Sequence, residues 1–287
     1  MKLTDLRGIL QYIPQFREKT FILAVDGAIV TDENFATLLL DVAVLRSLNI
    51  RVVLVHGASA QIKALAEEQK IQASNLDGSG VTDAATLNFA LTAANRLTHE
   101  ILEGLSANDL RAASTNAIIA HPMGIIQGVD HLFTGKVERV DVEMLQSLLA
   151  QGVVPVIPPL GFDGDGRTYR VNSDGVALAA ADALKAIKLI FITTQDGLIY
   201  SGQIIRQMIL EQYRHVRLQR GVPAFGKLPK MDVCIDDFAS THAGPSFRQQ
   251  TGFLGFRFFQ FPTPRQIPWG GICPAPGHCP WPPCPTL

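Results

Sequence analysis

Cysteine is missing from most of the chain. All four cysteines, Cys234, Cys273, Cys279 and Cys284, lie in the last quarter, so the first 233 residues carry no disulfide framework. The last three, together with His278, have a spacing close to that of zinc ligands. Prolines flank nearly all of them and no CxxC pair is present, so we predict no metal site.

The sequence also lacks long apolar runs and any excess of charge of one sign. No stretch of roughly 18 uncharged apolar residues occurs, and residues 1–10 lack the apolar centre of a secretory signal. The formal net charge is −1, and runs of like charge are absent. We therefore expect a cytoplasmic protein that has neither nucleic acid nor membrane as a partner.

The amino-acid composition of the chain changes near Met208. With 287 residues, of which 47% are apolar, it is long enough for one large α/β domain or two smaller ones. From Gly244 onward, ten of its 17 prolines fall within 44 residues. We predict a folded unit over residues 1–208 and a poorly ordered proline-rich extension over residues 209–287, without assigned elements. This change of composition fits either a genuine tail or a change of reading frame in the coding region.

A strand, a helix and a second strand dominate the N-terminal part. Residues 21–25 and 51–55 are short apolar runs, typical of strands buried on both faces. Between them, apolar residues recur at helical spacing over residues 35–48. Such a unit makes parallel neighbours, with ligands beyond the carboxyl ends of the strands. Asp26-Gly27 and His56-Gly57 stand at those ends.

Periodicity, caps and turns predict the other elements of an α/β fold with a mixed sheet and a parallel core. Helices are predicted over residues 3–16, 59–69, 83–105 (capped by Thr82 or Asp83), 141–151 and 173–184. Strands are predicted over residues 117–120, 124–127, 133–140, 153–157 and 188–193. One hairpin is expected to turn at residues 122–124, and a second to run through residues 162–168.

The glycine turns are the first candidate site. Gly27, His56, Gly57 and Ala58 could present backbone N–H groups at helix N-termini, an arrangement that binds phosphate or carboxylate. The alternative is that these glycines only make tight turns. His56 could act as a general base, but no third group is evident to orient it, and we expect its ring to be satisfied by the backbone instead.

A second candidate is the segment containing Asn172 and Asp174. Asp174 could bind Mg²⁺ or orient a lysine, or it could be the N-cap of helix 173–184, which is the interpretation we favour. Phosphoryl transfer would also need a cation near the terminal phosphates. The strand after Phe21 reads Ile-Leu-Ala-Val and supplies none.

Many ordered motifs together resemble a known family. They include LRSLNIRVVLVHGA, GVTDAATL, NAIIAHPMGIIQGVDHLFTGKVERVD, LLAQGVVPVIPPLGF and VNSDGVALAAADALKA. The chain up to about residue 208 is similar to the amino-acid-kinase-type domain of the N-acetylglutamate synthases of arginine biosynthesis, which are related to acetylglutamate kinase. The resemblance implies an amino-acid kinase (carbamate kinase-like) α/β/α sandwich built on a largely parallel, mixed sheet.

Several positions depart from the active kinases of this family. Where those kinases have a lysine and two glycines, this chain has Ala24, Asp26 and Gly27. Their HGGG loop reads His56-Gly57-Ala58-Ser59 here, and the arginine that grips the substrate carboxylate is Gly80. The resemblance therefore implies a kinase-like domain without kinase activity.

The segment at the start of the predicted helix 173–184 matches the family's motif only in part. Asp174 matches the kinase aspartate and Asn172 its neighbour, whereas an expected asparagine is replaced by Arg170. By resemblance, Asp174 is the single position that fits a catalytic role, and we assign no catalytic residue.

The resemblance implies a regulatory domain that forms homo-oligomers and binds L-arginine or an N-acetylglutamate-like molecule. In the synthases, a separate acetyltransferase domain moves the acetyl group from acetyl-CoA to glutamate. Residues 209–287 show no acetyl-CoA loop, so we expect this chain alone to be inactive and to hold no cofactor. The alternative is an acetylglutamate kinase that transfers phosphate from ATP, with Mg²⁺, to N-acetylglutamate and uses Lys227 or another lysine together with Asp174. A third is an unstable partial domain, because a sheet without its last strands exposes an edge.

Overall fold

The structure is a computed structural model that describes residues 14–76, 78–194, 198–200, 203–205, 248–252 and 256–260. Its helices are α1 Gly27–Val30, α2 Phe35–Ser47, α3 Ser59–Glu68, α4 Ala84–Ser106, α5 Val142–Ala150 and α6 Ser173–Ala183. Residues 14–16 are also helical, whereas residues 3–13 of the predicted first helix lie outside the described residues.

The strands follow the same order along the chain. They are β1 Thr20–Val25, β2 Arg51–His56, β3 Ala112–Ser114, β4 Ile118–Pro122, β5 Ile125–Ile126, β6 Val129–Asp130, β7 Gly135–Val140, β8 Val154–Ile157, β9 Leu160–Phe162, β10 Thr168–Arg170, β11 Lys188–Ile192, β12 Leu198–Tyr200, β13 Gln203–Ile205, β14 Arg248–Gly252 and β15 Phe256–Gln260. The predicted helices after residue 20 and the strands at residues 21–25, 51–55, 133–140, 153–157 and 188–193 are confirmed within a few residues.

The central sheet has seven strands in the order β14-β15-β11-β1-β2-β8-β3. The five strands from β11 to β3 are parallel, and β15 and β14 add antiparallel pairs at one edge. The register sets Val25 of β1 beside both His56 of β2 and Ile192 of β11. The predicted α/β fold with a mainly parallel sheet is confirmed.

Alternation along the central strands creates two cores. Ile22 and Ala24 point into a cluster with α5 and α6, whereas Phe21, Leu23 and Val25 point into a cluster with α2, α3 and α4. Because successive side chains of a strand point to opposite faces, one apolar run fills both layers. The result is a three-layer α/β/α sandwich.

The middle of the chain forms a separate four-stranded sheet, β10-β9-β4-β7, instead of joining the central one. The predicted hairpin over residues 117–127 is wrong, because β4 pairs antiparallel with β7, whereas β5 pairs with β6. The short hairpin turns at Gln127 and Gly128, whose φ angles are 52° and 81°. Two consecutive positive φ angles suit the twist of a two-residue hairpin turn, and the turn therefore falls after residue 126.

Two strands occur where none was predicted. β14 and β15 belong to the proline-rich extension, and β15 pairs with β11 from Lys188↔Gln260 to Ile192↔Phe256. No elements were assigned from sequence to residues 209–287, and these two strands add elements to that segment. Neither strand contains proline, so both can form ladder hydrogen bonds.

Asp83 fixes the start of the longest described helix. Its side chain accepts a hydrogen bond from the backbone N–H of Thr86, and its own backbone is extended, as in an N-cap. The alternative cap, Thr82, instead lies buried beneath the helix start. Asp141 caps α5 in the same way through Met144.

We expect Asp83→Ala to lower the free energy of unfolding by about 1 kcal/mol, because the substitution leaves an N–H of α4 without its acceptor. Urea unfolding followed by circular dichroism measures this loss. Asp83→Asn is the matched control, since asparagine caps as well as aspartate and should keep most of the stability. Equal losses in both variants would show that the cap is not the source of the effect.

Candidate functional site

Three segments meet at the carboxyl edge of the central sheet. A Cβ atom added to Gly57 would lie 3.3 Å from Ser173 Oγ, 3.6 Å from the Gly27 backbone nitrogen and 3.8 Å from Asp26 Oδ1. The turn after β1, the turn after β2 and the start of α6 are therefore neighbours. The structure brings together Gly27, Gly57 and the segment around Asn172, as the parallel topology predicts.

Gly27 allows the two turns to touch. A Cβ atom at this position would lie 2.5 Å from Gln61 Oε1 and 2.8 Å from the Gly57 carbonyl oxygen, distances that no side chain tolerates. The Gln61 amide donates to the Gly27 carbonyl at 2.8 Å, so α3 is fastened to the first turn. Gln61 was missed as a site residue, because only the fold reveals that its amide reaches back over 34 residues.

Gln61 also contributes an acceptor. Its Oε1 atom is buried and receives no hydrogen bond within the described part of the chain. A buried carbonyl oxygen without a donor is destabilising, so an N–H or O–H donor at this atom would stabilise the fold. It faces the backbone of Gly27, at the centre of the three segments.

Helices α1, α3 and α6 all begin at this edge. Asp26 and Ala58, which precede α1 and α3, make no side-chain cap hydrogen bond. Helix N-termini carry a partial positive charge and N–H groups without intrahelical acceptors. The convergence of the two longer helices, α3 and α6, therefore makes this edge electrostatically suited to an anionic group.

Asn172, not Asp174, caps α6. Its Oδ1 atom accepts hydrogen bonds from the backbone N–H groups of Asp174 and Gly175, each at 3.0 Å. The prediction that Asp174 is the cap is therefore wrong, because the extended residue whose side chain reaches the first turn lies two positions earlier. Asp174 lies in that first turn, with Oδ1 at 3.5 Å from the Ser173 hydroxyl.

His56 is fully buried beneath the site. Its Nδ1 atom lies 3.1 Å from the Gly57 carbonyl and its Nε2 atom 2.9 Å from Thr98 Oγ1. Burial lowers the pKa of His56 from its ordinary 6.5 to about 4, and the Gly57 carbonyl offsets only part of this effect. The Gly57 carbonyl can only accept, so Nδ1 carries the proton of the neutral ring, whereas the Thr98 hydroxyl donates to the Ala94 carbonyl at 2.7 Å. The predicted backbone contact is thus present at Nδ1, whereas Nε2 contacts a side chain.

A buried polar loop borders the site. Asn75 donates to the Gly80 carbonyl and to Thr82, and accepts from the Gly78 backbone N–H. Thr134 donates to the Gly80 carbonyl and lies 2.8 Å from the Thr82 hydroxyl oxygen. We call residues 75–82 the site loop. Together these hydrogen bonds hold the loop in one arrangement.

Arg170 clamps the site loop from below. It is only 2% exposed, and its guanidinium donates to the carbonyls of Asn75 and Leu76. A Cβ atom on Gly78 would lie 3.0 Å from the Val171 carbonyl, so the loop also touches the residues that precede α6. A structural role for Arg170 was missed, although a charged residue in the run Tyr-Arg-Val was a visible signal.

The substituted positions have clear structural settings. Ala24 is 5% exposed and packs in the apolar cluster between the sheet and α6. At Gly80, an added Cβ atom would meet only the Asn75 side chain, at 3.6 Å or more. The site therefore combines the N-termini of α3 and α6, the Gln61 amide, a serine and a carboxylate, whereas the backbone N–H groups of Gly57, Asp174 and Gly175 already donate within the protein. This set can bind a small anionic molecule, whereas position 24 contributes no cation to phosphoryl transfer.

We expect acid to destabilise this protein through His56. The unfolded ring takes up a proton below pH 6.5 but the native ring only near pH 4, so stability is complete above pH 6.5 and falls as the pH drops towards 4. The loss approaches about 3 kcal/mol, at roughly 1.4 kcal/mol per pH unit. Denaturant unfolding at several pH values measures it.

His56→Gln should flatten that dependence, because glutamine takes up no proton. His121→Gln, at an exposed position of β4, is the matched control and should keep the slope of the parent chain. If the two variants have the same slope, another group is responsible for acid sensitivity.

Comparisons with known proteins agree with this architecture. An amino-acid acetyltransferase from Ralstonia nicotianae is 32% identical over 225 residues, which is 75% of this chain and 50% of that protein. An acetylglutamate kinase from Pseudothermotoga lettingae is 30% identical over 233 residues, covering 79% of this chain and 83% of the kinase. The chain thus spans about half the length of the curated acetyltransferase, but most of the kinase.

Solved structures show the same fold. Two crystal structures of N-acetylglutamate synthase from Neisseria gonorrhoeae, one with coenzyme A and N-acetyl-glutamate and one with coenzyme A and L-arginine, match with a TM-score of 0.73 at 24% identity. The match covers 84% of this chain and 55% or 57% of those chains. No described helix is long and apolar enough to cross a membrane.

The family model for amino acid kinases matches residues 19–236, a span that continues past the change of composition near residue 208. This span contains the central parallel strands, the four-stranded sheet and all three segments of the candidate site. The chain belongs to the amino acid kinase family.

Proposed function

We propose that this chain is a regulatory kinase-like domain of the N-acetylglutamate synthase type that binds a small amino-acid ligand at the carboxyl edge of its sheet. The observation that carries the proposal is that the Gly27 turn, the Gly57 turn and the start of α6 are neighbours at this edge. The N-termini of α3 and α6 at this point favour a carboxylate.

The ligand class follows from the two kinds of group in the site. A carboxylate suits the N-termini of α3 and α6, and an amide, ammonium or guanidinium N–H suits the unpartnered oxygen of Gln61. N-acetylglutamate-like molecules and L-arginine contain both kinds of group. We therefore propose one of these as the ligand, with Gly27, Gly57, Ala58, Asn172 and Asp174 around it and with His56 supporting the second turn from below.

Phosphoryl transfer is disfavoured by the same geometry. Catalysis of that reaction rests on cations that neutralise charge on the transferred group. Position 24 is a buried alanine, and Gly80 supplies no guanidinium to hold a substrate carboxylate. We therefore expect no ATP turnover, although the likeness to an acetylglutamate kinase over most of its length keeps that activity as the alternative.

Acetyl transfer is assigned to a part of the relatives that this chain does not match. The curated acetyltransferase is about twice as long as the aligned region. We propose that transfer from acetyl-CoA to glutamate takes place on a separate domain, while this one acts in the cytoplasm as a homo-oligomeric sensor. In this proposal the chain alone binds neither acetyl-CoA nor ATP.

Ligand-dependent thermal unfolding tests the proposal. We expect L-arginine or N-acetyl-L-glutamate at about 100 times its dissociation constant to stabilise the full chain by roughly 2.7 kcal/mol, and so to raise the Tm. Gly57→Leu should abolish this rise, because the new side chain fills the space beside Ser173. Gly164→Leu is the matched control, since nothing lies within 4 Å of an added Cβ atom there.

Two results would contradict the proposal. One is a Tm that neither ligand changes in the parent chain. The other is ADP formation that depends on N-acetyl-L-glutamate, which would establish the kinase alternative. A rise that persists in Gly57→Leu would move the binding site away from this edge.

A further inference from the structure

Arg170 is a charged residue in a buried position beside the candidate site. It ends β10, and its backbone N–H donates to the Phe133 carbonyl at 2.9 Å. Two residues further on, Asn172 caps α6 at the edge of the central sheet. Removing a guanidinium from water is costly, so a side chain that is 98% buried needs well-placed acceptors. The acceptors of Arg170 therefore show what its burial achieves.

The guanidinium binds two successive carbonyl groups of the site loop. Nη1 donates to the Asn75 carbonyl and Nη2 donates to the Leu76 carbonyl. A guanidinium is planar and presents its N–H groups in a fixed fork, whereas a lysine ammonium is a point charge on a flexible stem. Carbonyls on adjacent peptide groups match that fork. Arg170 thus fixes the orientation of both peptide groups as well as the distance between the loop and β10.

Next to these carbonyls, the loop contacts the start of α6. Asn75 Oδ1 accepts a hydrogen bond from the Gly78 backbone N–H at 3.0 Å, in a turn where Gly78 has a φ of 81°. A Cβ atom on Gly78 would lie 3.0 Å from the Val171 carbonyl oxygen and 3.2 Å from Asn172 Cα. The loop therefore packs directly against the residue that caps α6.

A separate set of hydrogen bonds holds the other end of the loop. The Gly80 carbonyl accepts from the Asn75 amide and from the Thr134 hydroxyl, and the Thr82 hydroxyl lies within hydrogen-bond distance of the same two side chains. These bonds fix residues 80–82, whereas the guanidinium fixes residues 75 and 76. Gly78, which contacts α6, lies between the two fixed ends. Release of the first end would therefore loosen the contact between the loop and α6.

We propose that Arg170 is a positioning residue for ligand binding: its guanidinium holds the site loop against Asn172 and so keeps the binding-competent arrangement populated. This inference rests on the proposed function, because it concerns the affinity for the ligand proposed there. When only a fraction of the molecules is competent, the apparent dissociation constant rises by the inverse of that fraction. Loss of the guanidinium should therefore weaken binding, although the groups around the ligand stay the same.

Isothermal titration calorimetry of the full chain with L-arginine and with N-acetyl-L-glutamate tests this role. We expect Arg170→Lys and Arg170→Met each to raise the dissociation constant at least roughly tenfold, which corresponds to a competent fraction of about one in ten. Lysine keeps the charge and methionine removes it, so equal effects identify the fork as the cause. Arg167→Lys, at an exposed position of the same β9–β10 hairpin, is the matched control and should bind like the parent chain.

Hydrogen exchange of the ligand-free chain separates positioning from a general loss of stability. Arg170→Lys should speed exchange in a peptide that covers residues 75–82. A peptide from the middle of α4, where Ala93, Leu97 and Ile101 are buried, should keep the protection of the parent chain. Faster exchange in both peptides would show that Arg170 only stabilises the fold, and would overturn the proposal.

A second variant changes the same contact without altering Arg170. Gly78→Ala should also raise the dissociation constant, because the new methyl group would meet the Val171 carbonyl and displace the loop from α6. Gly166→Ala is the matched control: its φ of 77° imposes similar backbone strain, but nothing lies within 4 Å of an added Cβ atom. This pair of variants tests the loop even if the Arg170 variants do not fold.

The titrations distinguish failure of this inference from failure of the proposed function. A parent chain that binds neither ligand would contradict the proposed function, and this inference with it. A parent chain that binds, with Arg170→Lys and Gly78→Ala binding equally well, would overturn only the role of Arg170. Weaker binding in Arg170→Met but not in Arg170→Lys would assign the effect to charge, and would exclude positioning through the fork.

Discussion

Close approach of the first two strand-to-helix turns is the constraint on which the site depends. The parallel register sets Val25 beside His56, and the Gly57 backbone N–H donates to the Val25 carbonyl at 2.9 Å. The turn after β2 is thus bonded to the end of β1, which leaves space for no side chain at Gly27. Because α1 and α3 begin at these turns, a larger residue there would displace both helix starts.

Buried polar contacts then connect the layers around that edge. His56 links β2 to α4 through Thr98, and the guanidinium of Arg170 links β10 to the site loop. A buried charge or imidazole is costly unless its hydrogen bonds are made, and each of these groups therefore has a narrow range of acceptable geometries. Such contacts specify where the loop and α4 lie, whereas apolar packing alone would permit small shifts. The site is consequently preorganised by groups that face away from it.

Local sequence patterns predicted most of the helices and strands. Contacts between residues far apart in the chain could not be predicted in this way. Apolar runs and turn residues within a short window identify buried strands such as β1 and β2 and capped helices such as α4. By contrast, Arg170 finds its acceptors 94 and 95 residues away, and no local pattern names them. The pairing of β5 with β6 likewise depends on a turn where Gln127, a residue without strong turn preference, adopts a positive φ.

The same reasoning explains how far the candidate site could be anticipated. Strand order follows from the strand–helix–strand unit, so Gly27 and Gly57 could be placed at one edge from sequence. The role of Gln61 could not, because its amide reaches across the turn only after α3 has docked. The assignment of the α6 cap failed by two residues, since Asn172 and Asp174 are both good caps and only the backbone angle decides between them.

Position 24, where the resemblance implies a lysine in the active kinases, lies in the core. Ala24 packs in the same cluster as Ile22, Val55 and Val176, where the sheet meets α6. A lysine introduced at this position would carry its stem through close-packed apolar side chains, and its charge would lose solvation unless a phosphate were bound. Restoring the cation would therefore cost stability in the ligand-free domain. Under the proposed function, which needs no phosphoryl transfer, alanine is therefore the more stable residue at this position.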